Sequence, residues 1–350
     1  MRLVEPLGLL DGDAAREAVA AGLAMALAGG PAAFSLVRLL GEPGQPILPP
    51  ADVPDSWRPS LRRVAAPPSS AGLPDGPPVM GILNLTPDSF SDGGRHLRPQ
   101  QAIAAGLAMA QAGAAILDLG AESTRPGADP VAPACEQDRL LPVIAGLSGC
   151  GALLSVDTRN ASTMRAALDA GAHLINDVSA LAHDPEAAGL LAGRDCPVIL
   201  MHMRGTPRTM AGHARYGDVA AEVTVELAHA LARAQAAGIA AERLLVDPGI
   251  GFAKDPAQNF ELLRRLPVLA NLGCRIVLGA SRKRFIEAAF GTGLAAAARD
   301  PGTLASLAPA IHLPGCILRV HDVAGCVQAV RVWQRVWHGG AGSTKALAAT

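Results

Sequence analysis

The chain reads as an α/β protein, a (β/α)8 TIM barrel preceded by a small N-terminal α/β appendage. Three observations predict this. From Val79 onward, short apolar runs alternate with helix-period segments, the pattern of a parallel sheet. There are eight such runs. They occupy residues 79–337, close to the ~250 residues usual for a barrel of this kind. A doubly wound sheet is the competitor, but it has fewer strands and a glycine-rich first turn that is absent here.

The predicted strands are Val79–Leu83, Ala115–Leu119, Leu153–Val156, Leu174–Ile175, Val198–Met201, Leu244–Val246, Ile276–Leu278 and Cys316–Val320. Between them lie helical stretches such as Ala102–Ala112, Ser162–Ala170, Val219–Ala237 and Asn259–Leu272. Pro256 and Pro267 mark boundaries around the last of these. Ahead of the barrel, residues 1–40 suggest a helix at Ala14–Ala28 and a short strand at Phe34–Leu40. Residues 41–78 contain Pro67-Pro68, Pro74 and Pro77-Pro78 and read as a linker or extended arm. Residues 338–350 read as a C-terminal tail.

Half of the 350 residues are hydrophobic but only 3% are aromatic, so the core is built from Ala, Val, Leu and Ile. The net charge of −1, from 30 basic and 31 acidic residues spread through the chain, argues against a nucleic-acid or anionic-membrane surface. Any bound anion must therefore be held by a local cluster. The six cysteines are scattered without a CxxC pair, which argues against a disulfide scaffold or zinc site and suits a reducing cytoplasm. The uncharged stretch Ala18–Val37 is broken by Gly29-Gly30-Pro31 and follows an acidic start, so it reads as soluble rather than as a signal or membrane span.

Barrel enzymes place their catalytic groups at the carboxyl ends of the strands. Here all eight ends turn polar. In order they carry Asn84 with the TPDSFSDGG loop, Glu122 to Pro126, Asp157-Thr158-Arg159, Asn176-Asp177, His202 with Arg204, Asp247-Pro248-Gly249, Ser281-Arg282-Lys283 and Arg319 to Asp322. One such end is an ordinary helix cap. Eight along one mouth are more than capping.

The chemistry of these groups narrows the ligand. Asp157, Asn176 and Asp247 suit a flat heterocycle with several N–H donors, since a carboxylate accepts two parallel N–H bonds from a guanidine-like edge. Arg125, Lys283, Arg319 and His321 suit a phosphate or carboxylate. Asn84, with Asp88 and Asp92, offers hard oxygens for Mg²⁺; Asp92 is preferred, because Asp88 in the TPDS segment can serve as an Asx-turn residue. A heterocycle carrying a diphosphate, with a metal over the leaving group, fits this set.

The segments GILNLTPDSFSDGG, DLGAESTRPGA, SVDTR, INDVS, MHMRGTP, DPGIGF, SRK and RVHDV occur in this order at strand-like spacing. Together they resemble the dihydropteroate synthases of the pterin-binding barrel family, over roughly residues 79–337. The resemblance implies condensation of 6-hydroxymethyl-7,8-dihydropterin diphosphate with p-aminobenzoate, giving 7,8-dihydropteroate and pyrophosphate in folate biosynthesis. It implies Mg²⁺ as cofactor, small-molecule substrates only, a homodimer and a sulfonamide target. By position, Asn84 resembles the magnesium-associated residue, and Asp157, Asn176, Asp247 and Lys283 resemble the pterin pocket. Thr124, Arg125, Arg319 and His321 match positions around the diphosphate and aminobenzoate, and Met201 and Phe252 line the two pockets. Asn84, Lys283, Arg319 and His321 are the expected catalytic set.

Two other readings use the same barrel. A methyltetrahydrofolate methyltransferase handles no diphosphate and has little use for the first-loop acids together with Arg319 and His321. A noncatalytic pterin-binding paralogue predicts loss of Asn84, Arg125 or Lys283, and all three are present. His202 is balanced between a packed core histidine and a ligand contact. Arg284 stands where the family usually has a small hydroxyl residue and bears on aminobenzoate and sulfonamide binding. Ala253 and Asp255 depart from the usual residues of the GFAKD stretch, and Pro309 and Pro314 interrupt the helix expected before the eighth strand.

Overall fold

The computed structural model describes residues 1–69, 71–85, 97–122, 131–291 and 293–338. The N-terminal segment is a small antiparallel sheet of β1 (Leu3–Leu10), β2 (Met25–Ala26), β3 (Ala33–Leu40) and β4 (Ile47–Leu48), with β3 pairing to the other three. Helix α1 (Gly12–Ala20) is shorter than the sequence suggests. Gly22 takes φ +71°, and the N–H groups of Gly22 and Leu23 return to the carbonyls of Val19 and Ala18. That left-handed closure stops the helix and releases the chain into β2. Strand β1 was not foreseen, because Pro6 and Gly8 interrupt its apolar run.

The proline-rich stretch is more than a connection. It contains β4 and α2 (Arg58–Ala65), which together with the preceding turn buries Trp57, Leu61 and Val64. Beyond it, Leu73 is buried against one end of the barrel interior. Arg275 fixes this segment by donating to the carbonyls of Leu73 (3.2 Å) and Pro74 (2.9 Å).

The barrel strands are β5 (Val79–Asn84), β6 (Ile116–Gly120), β7 (Leu153–Asp157), β8 (Leu174–Asp177), β9 (Val198–Met201), β10 (Leu244–Asp247), β11 (Val277–Leu278) and β12 (Ile317–Val320). All pairings are parallel, in the order β10-β9-β8-β7-β6-β5-β12-β11. A single parallel bridge between Val246 and Ile276 joins the two ends, so the sheet closes into the expected (β/α)8 barrel. The surrounding helices are α3 (Leu97–Gln111), α4 (Pro133–Gly146), α5 (Ala161–Asp169), α6 (Ala187–Ala192), α7 (Val219–Ala236), α8 (Pro256–Arg264), α9 (Arg284–Ala288), α10 (Asp300–Leu307) and α11 (Val323–His338). Pro267 starts a 3-10 segment, Leu266–Leu272, so the stretch expected as one helix is divided. Pro309 does the same after α10, where residues Ala308–His312 form a 3-10 turn.

The strands alternate between two cores. One face of each points to the helices, with Leu117, Leu119, Val156, Leu200 and Val246 in the large outer cluster. The other face points inward, where Met80, Ile116, Leu153, Leu174, Ile199, Leu245, Val277 and Ile317, one from each strand, pack as an apolar layer. The appendage docks on the barrel through the 3-10 segment. Asn271 copies a strand partner, its Nδ2 donating to the Val4 carbonyl (2.7 Å) while its Oδ1 accepts from the Val4 N–H (3.1 Å). Arg265 joins Glu5 of β1 (2.6 Å) to Asp218, the N-cap of α7 (2.8 Å).

Candidate active site

The inner apolar layer sets the register of the site. Side chains two residues apart on a strand share a face. Moving two residues on from that layer brings Asp118, Ser155, Asn176, Met201, Asp247, Gly279 and Arg319 inward. Two further on lie Asn84, Asp157, Ser281 and His321. The polar strand ends therefore converge on one mouth.

Asp118 is the centre of this layer and the sequence reading missed it. It is fully buried and accepts from Ser155 Oγ (2.6 Å), Asn176 Nδ2 (3.1 Å) and Arg319 Nε (2.6 Å). Arg319 also donates through Nη2 to Asp157 (2.8 Å). A signal was available: a lone carboxylate inside the apolar run ILDLG has no place in a strand core unless it is paired. Two carboxylates share one guanidinium. Burial pushes the Asp157 carboxyl up to about 7, with Arg319 opposing and Asp118 reinforcing the shift.

Asp247 ends β10, and its Oδ1 accepts from the Gly249 N–H (2.7 Å). Burial raises its pKa, against the pull of Lys283. Its Oδ2 has no hydrogen-bond partner among the described residues and lies beside Gly279, where a Cβ would come within 3.3 Å of it. Lys283 bonds to the Ile250 carbonyl, and its Nζ sits 4.2 Å from the centroid of the Phe252 ring. Burial pulls this ammonium down to about 8, partly offset by Asp247. Of its basic neighbours, Arg282 turns away to pair with Asp300 (2.7 Å), and Arg284 is exposed at the start of α9.

Ser281, another residue absent from the expected set, orients His321. Its Oγ lies 2.9 Å from His321 Nδ1 and accepts from the His321 N–H (3.1 Å). Met201 is buried at the end of β9. Asn84 is half-buried at the end of β5, with no side-chain hydrogen bond among the described residues. Thr124, Arg125, Asp88 and Asp92 lie outside the described residues.

His202 is occupied by protein groups on both ring nitrogens, Lys254 Nζ at Nδ1 (3.0 Å) and Glu226 Oε2 at Nε2 (2.9 Å). Burial pushes it down to about 4. Of the two readings open in the sequence, this geometry supports the packed histidine. Arg204 likewise serves the scaffold, stacking 3.9 Å from the Tyr216 ring centroid and pairing with Glu222 (2.8 Å).

The arrangement brings open hydrogen-bond acceptors and cations together in one barrel mouth. Comparison with known proteins agrees with it. The family model for pterin binding enzymes matches residues 80–321. The dihydropteroate synthase of Escherichia coli (strain K12) is 42% identical over 73% of this chain and 90% of its own length. A probable bifunctional folylpolyglutamate synthase/dihydropteroate synthase of Haloferax volcanii is 45% identical over 74% of the chain, which spans only 30% of that longer protein. A solved structure of Xanthomonas albilineans dihydropteroate synthase with 4-aminobenzoic acid superposes with a TM-score of 0.70 at 46% identity, covering 75% of this chain and 93% of that one. With the barrel, its inward polar layer and these matches in agreement, the chain belongs to the pterin-binding enzyme family, among the dihydropteroate synthases.

Proposed function

We infer that this protein condenses 6-hydroxymethyl-7,8-dihydropterin diphosphate with p-aminobenzoate, releasing 7,8-dihydropteroate and pyrophosphate. The observation that carries this reading is the constellation of buried Asp118, Asn176 and Asp247 with half-buried Asp157, Arg319 and Lys283. Asp247 Oδ2 and the carboxylate of Asp157 are acceptors for the N–H edge of a pterin. Donors on that ring also stabilise the charged form of two carboxyls that burial otherwise disfavours.

In the reaction the bond from the pterin methylene to the diphosphate oxygen breaks, and its electron pair leaves with the diphosphate. The lone pair of the neutral aniline nitrogen forms the new C–N bond, and that nitrogen then releases its proton. No protein nucleophile is required. Lys283 supplies positive charge, and His321, oriented by Ser281, a ring nitrogen for hydrogen bonding, where charge grows on the leaving group. Arg319 holds the two acidic groups in place and keeps Nη1 without a protein partner among the described residues. Phe252, under the Lys283 ammonium, offers an apolar face to the aminobenzoate ring.

Mg²⁺ belongs to this proposal. No cluster of three His, Cys, Asp or Glu side chains able to hold a metal occurs among the described residues. The amide oxygen of Asn84 is a hard donor of the kind that serves a magnesium completed by substrate phosphates and water, with Asp92 as its expected companion. When bound, the ion offsets charge on the diphosphate. We also take the protein to act in the cytoplasm as a homodimer, without nucleic-acid or membrane partners; no helix among the described residues is long and apolar enough to cross a membrane.

The test is pyrophosphate release from the dihydropterin diphosphate, with and without p-aminobenzoate and Mg²⁺, beside Lys283→Ala. Release that requires both additions, fails in the variant and is competed by a sulfonamide is the expected result. Tight pterin binding without turnover would point to the noncatalytic paralogue instead.

A further inference from the structure

The loop from Asp247 to Phe252 carries two of the proposed substrate-binding groups. It turns through two left-handed glycines, Gly249 (φ +65°) and Gly251 (φ +80°), and its inward carbonyls need hydrogen-bond partners. Lys254 supplies them. The residue is only 8% exposed, and its Nζ donates to the carbonyls of Gly249 and Phe252, both at 3.0 Å. Its third neighbour is Nδ1 of His202, also at 3.0 Å, and Nε2 of His202 meets Glu226 Oε2 at 2.9 Å. Glu226 is in turn held by Arg204, with Nε 3.0 Å from Oε1.

The proton in this chain can be assigned. Burial lowers Lys254 to about 7 but lowers His202 further, to about 4. The geometry fixes the proton's place: Nε2 faces the Glu226 carboxylate and so carries the ring hydrogen, Nδ1 is left to accept, and Lys254 donates to it and to both carbonyls as an ammonium. Burying an ammonium is costly unless its donors are all used. Here all three are used, and two of them end on the substrate-facing loop.

We propose that Lys254, backed by His202 and Glu226, is a positioning residue that holds the Gly249–Phe252 loop, and with it the Phe252 ring beneath the Lys283 ammonium, for the aminobenzoate substrate. The proposal rests on the synthase reading given above. Asp247 sits on β10 and keeps its own bond to Gly249, so the pterin side depends on Lys254 less.

The experiment is steady-state kinetics of Lys254→Met in both substrates, with Lys254→Ala assayed with added propylammonium or propanol. The KM for p-aminobenzoate is expected to rise about tenfold or more, since small displacements near the reacting groups cost that much. The KM for the dihydropterin diphosphate should stay within about threefold of wild type. Propylammonium should restore Lys254→Ala and propanol should not. An unchanged aminobenzoate KM, or equal changes in both, would overturn the proposal. If the Lys254 variants do not fold, His202→Gln, which leaves the two carbonyl bonds, should show the same split at smaller size; no split there overturns it too. A wild-type chain that releases no pyrophosphate would sink the synthase reading alone. Amide exchange at Gly251 and Phe252, faster in Lys254→Met than in wild type, decides the loop's dependence on Lys254 in either case, and unchanged exchange refutes it.

Discussion

Arg319 on β12 places its Nε 2.6 Å from Oδ2 of Asp118 on β6, joining a half-buried guanidinium to a fully buried carboxylate inside the barrel. Neither residue is explained by its own strand. The guanidinium serves Asp118 and Asp157 together, so its position decides where both acids can stand. Removing one partner strands the rest. Asp118→Ala leaves Arg319, Asn176 Nδ2 and Ser155 Oγ without their shared acceptor, and we expect a loss of about 3–5 kcal/mol in denaturant unfolding together with weaker pterin binding. A loss below about 1 kcal/mol would show that Arg319 re-pairs fully with Asp157.

Lys283 predicts an alkaline limit to activity. Its ammonium, lowered from 10.5 to about 8 by burial, is present below pH 8 and lost above it. The kcat/KM for the dihydropterin diphosphate should therefore fall above about pH 8. Stability responds in the opposite sense. Between about pH 8 and 10.5 the unfolded chain still holds the proton that the folded chain has released, so this lysine's contribution to stability rises with pH through that window. Lys283→Arg, measured across the same range, should abolish the alkaline limb of whatever activity remains. Persistence of that limb would assign it to another group.

Gly249 tolerates no side chain. Its φ is +65°, and a Cβ there would lie 1.9 Å from the His202 carbonyl oxygen. Gly249→Ala should destabilise the protein by about 3 kcal/mol or more, or prevent folding. Thermal unfolding of that variant near the wild-type temperature would contradict the loop geometry.

The appendage is predicted to stabilise without taking part in the chemistry. Arg265→Met leaves Glu5, only 3% exposed, without its strongest partner and should cost about 3 kcal/mol or more in unfolding free energy. The folded fraction should keep both KM values. A selective change in either substrate's KM would link the N-terminal sheet to the site.

Arg284 is exposed at the start of α9, next in the chain to Lys283, and the family resemblance sets it near the aminobenzoate pocket. Arg284→Ser is expected to alter the aminobenzoate KM more than the pterin KM. Equal effects would place the arginine outside that pocket.

The strands, their number and their polar ends were legible in the sequence because each is a local pattern. A period of two and a polar residue at the end of an apolar run need no knowledge of the partner strand. That pattern is what puts Asp157, Asn176 and Asp247 at strand ends and Lys283 just past one. Asp118 falls outside it, because it sits inside its run rather than at the end. Nothing local announces that Arg319, some two hundred residues later, will pair with it. Lys254 was overlooked for a similar reason: in GFAKD it looks like an ordinary loop lysine until β9 and α7 bring His202 and Glu226 beside it.

The sequence by itself determined the barrel, the mouth on which the chemistry is arranged, and the residue types offered there. Tertiary structure alone decided which of those charges are spent on each other and which remain for a ligand. It drew Arg319 into a shared pair with Asp118 and Asp157, enclosed His202 between Lys254 and Glu226, and left Asp247 Oδ2 open beside Gly279. The physical reason is that side-chain alternation is fixed along each strand, whereas charge pairing and desolvation are set by neighbours that closure of the barrel brings in from distant parts of the chain.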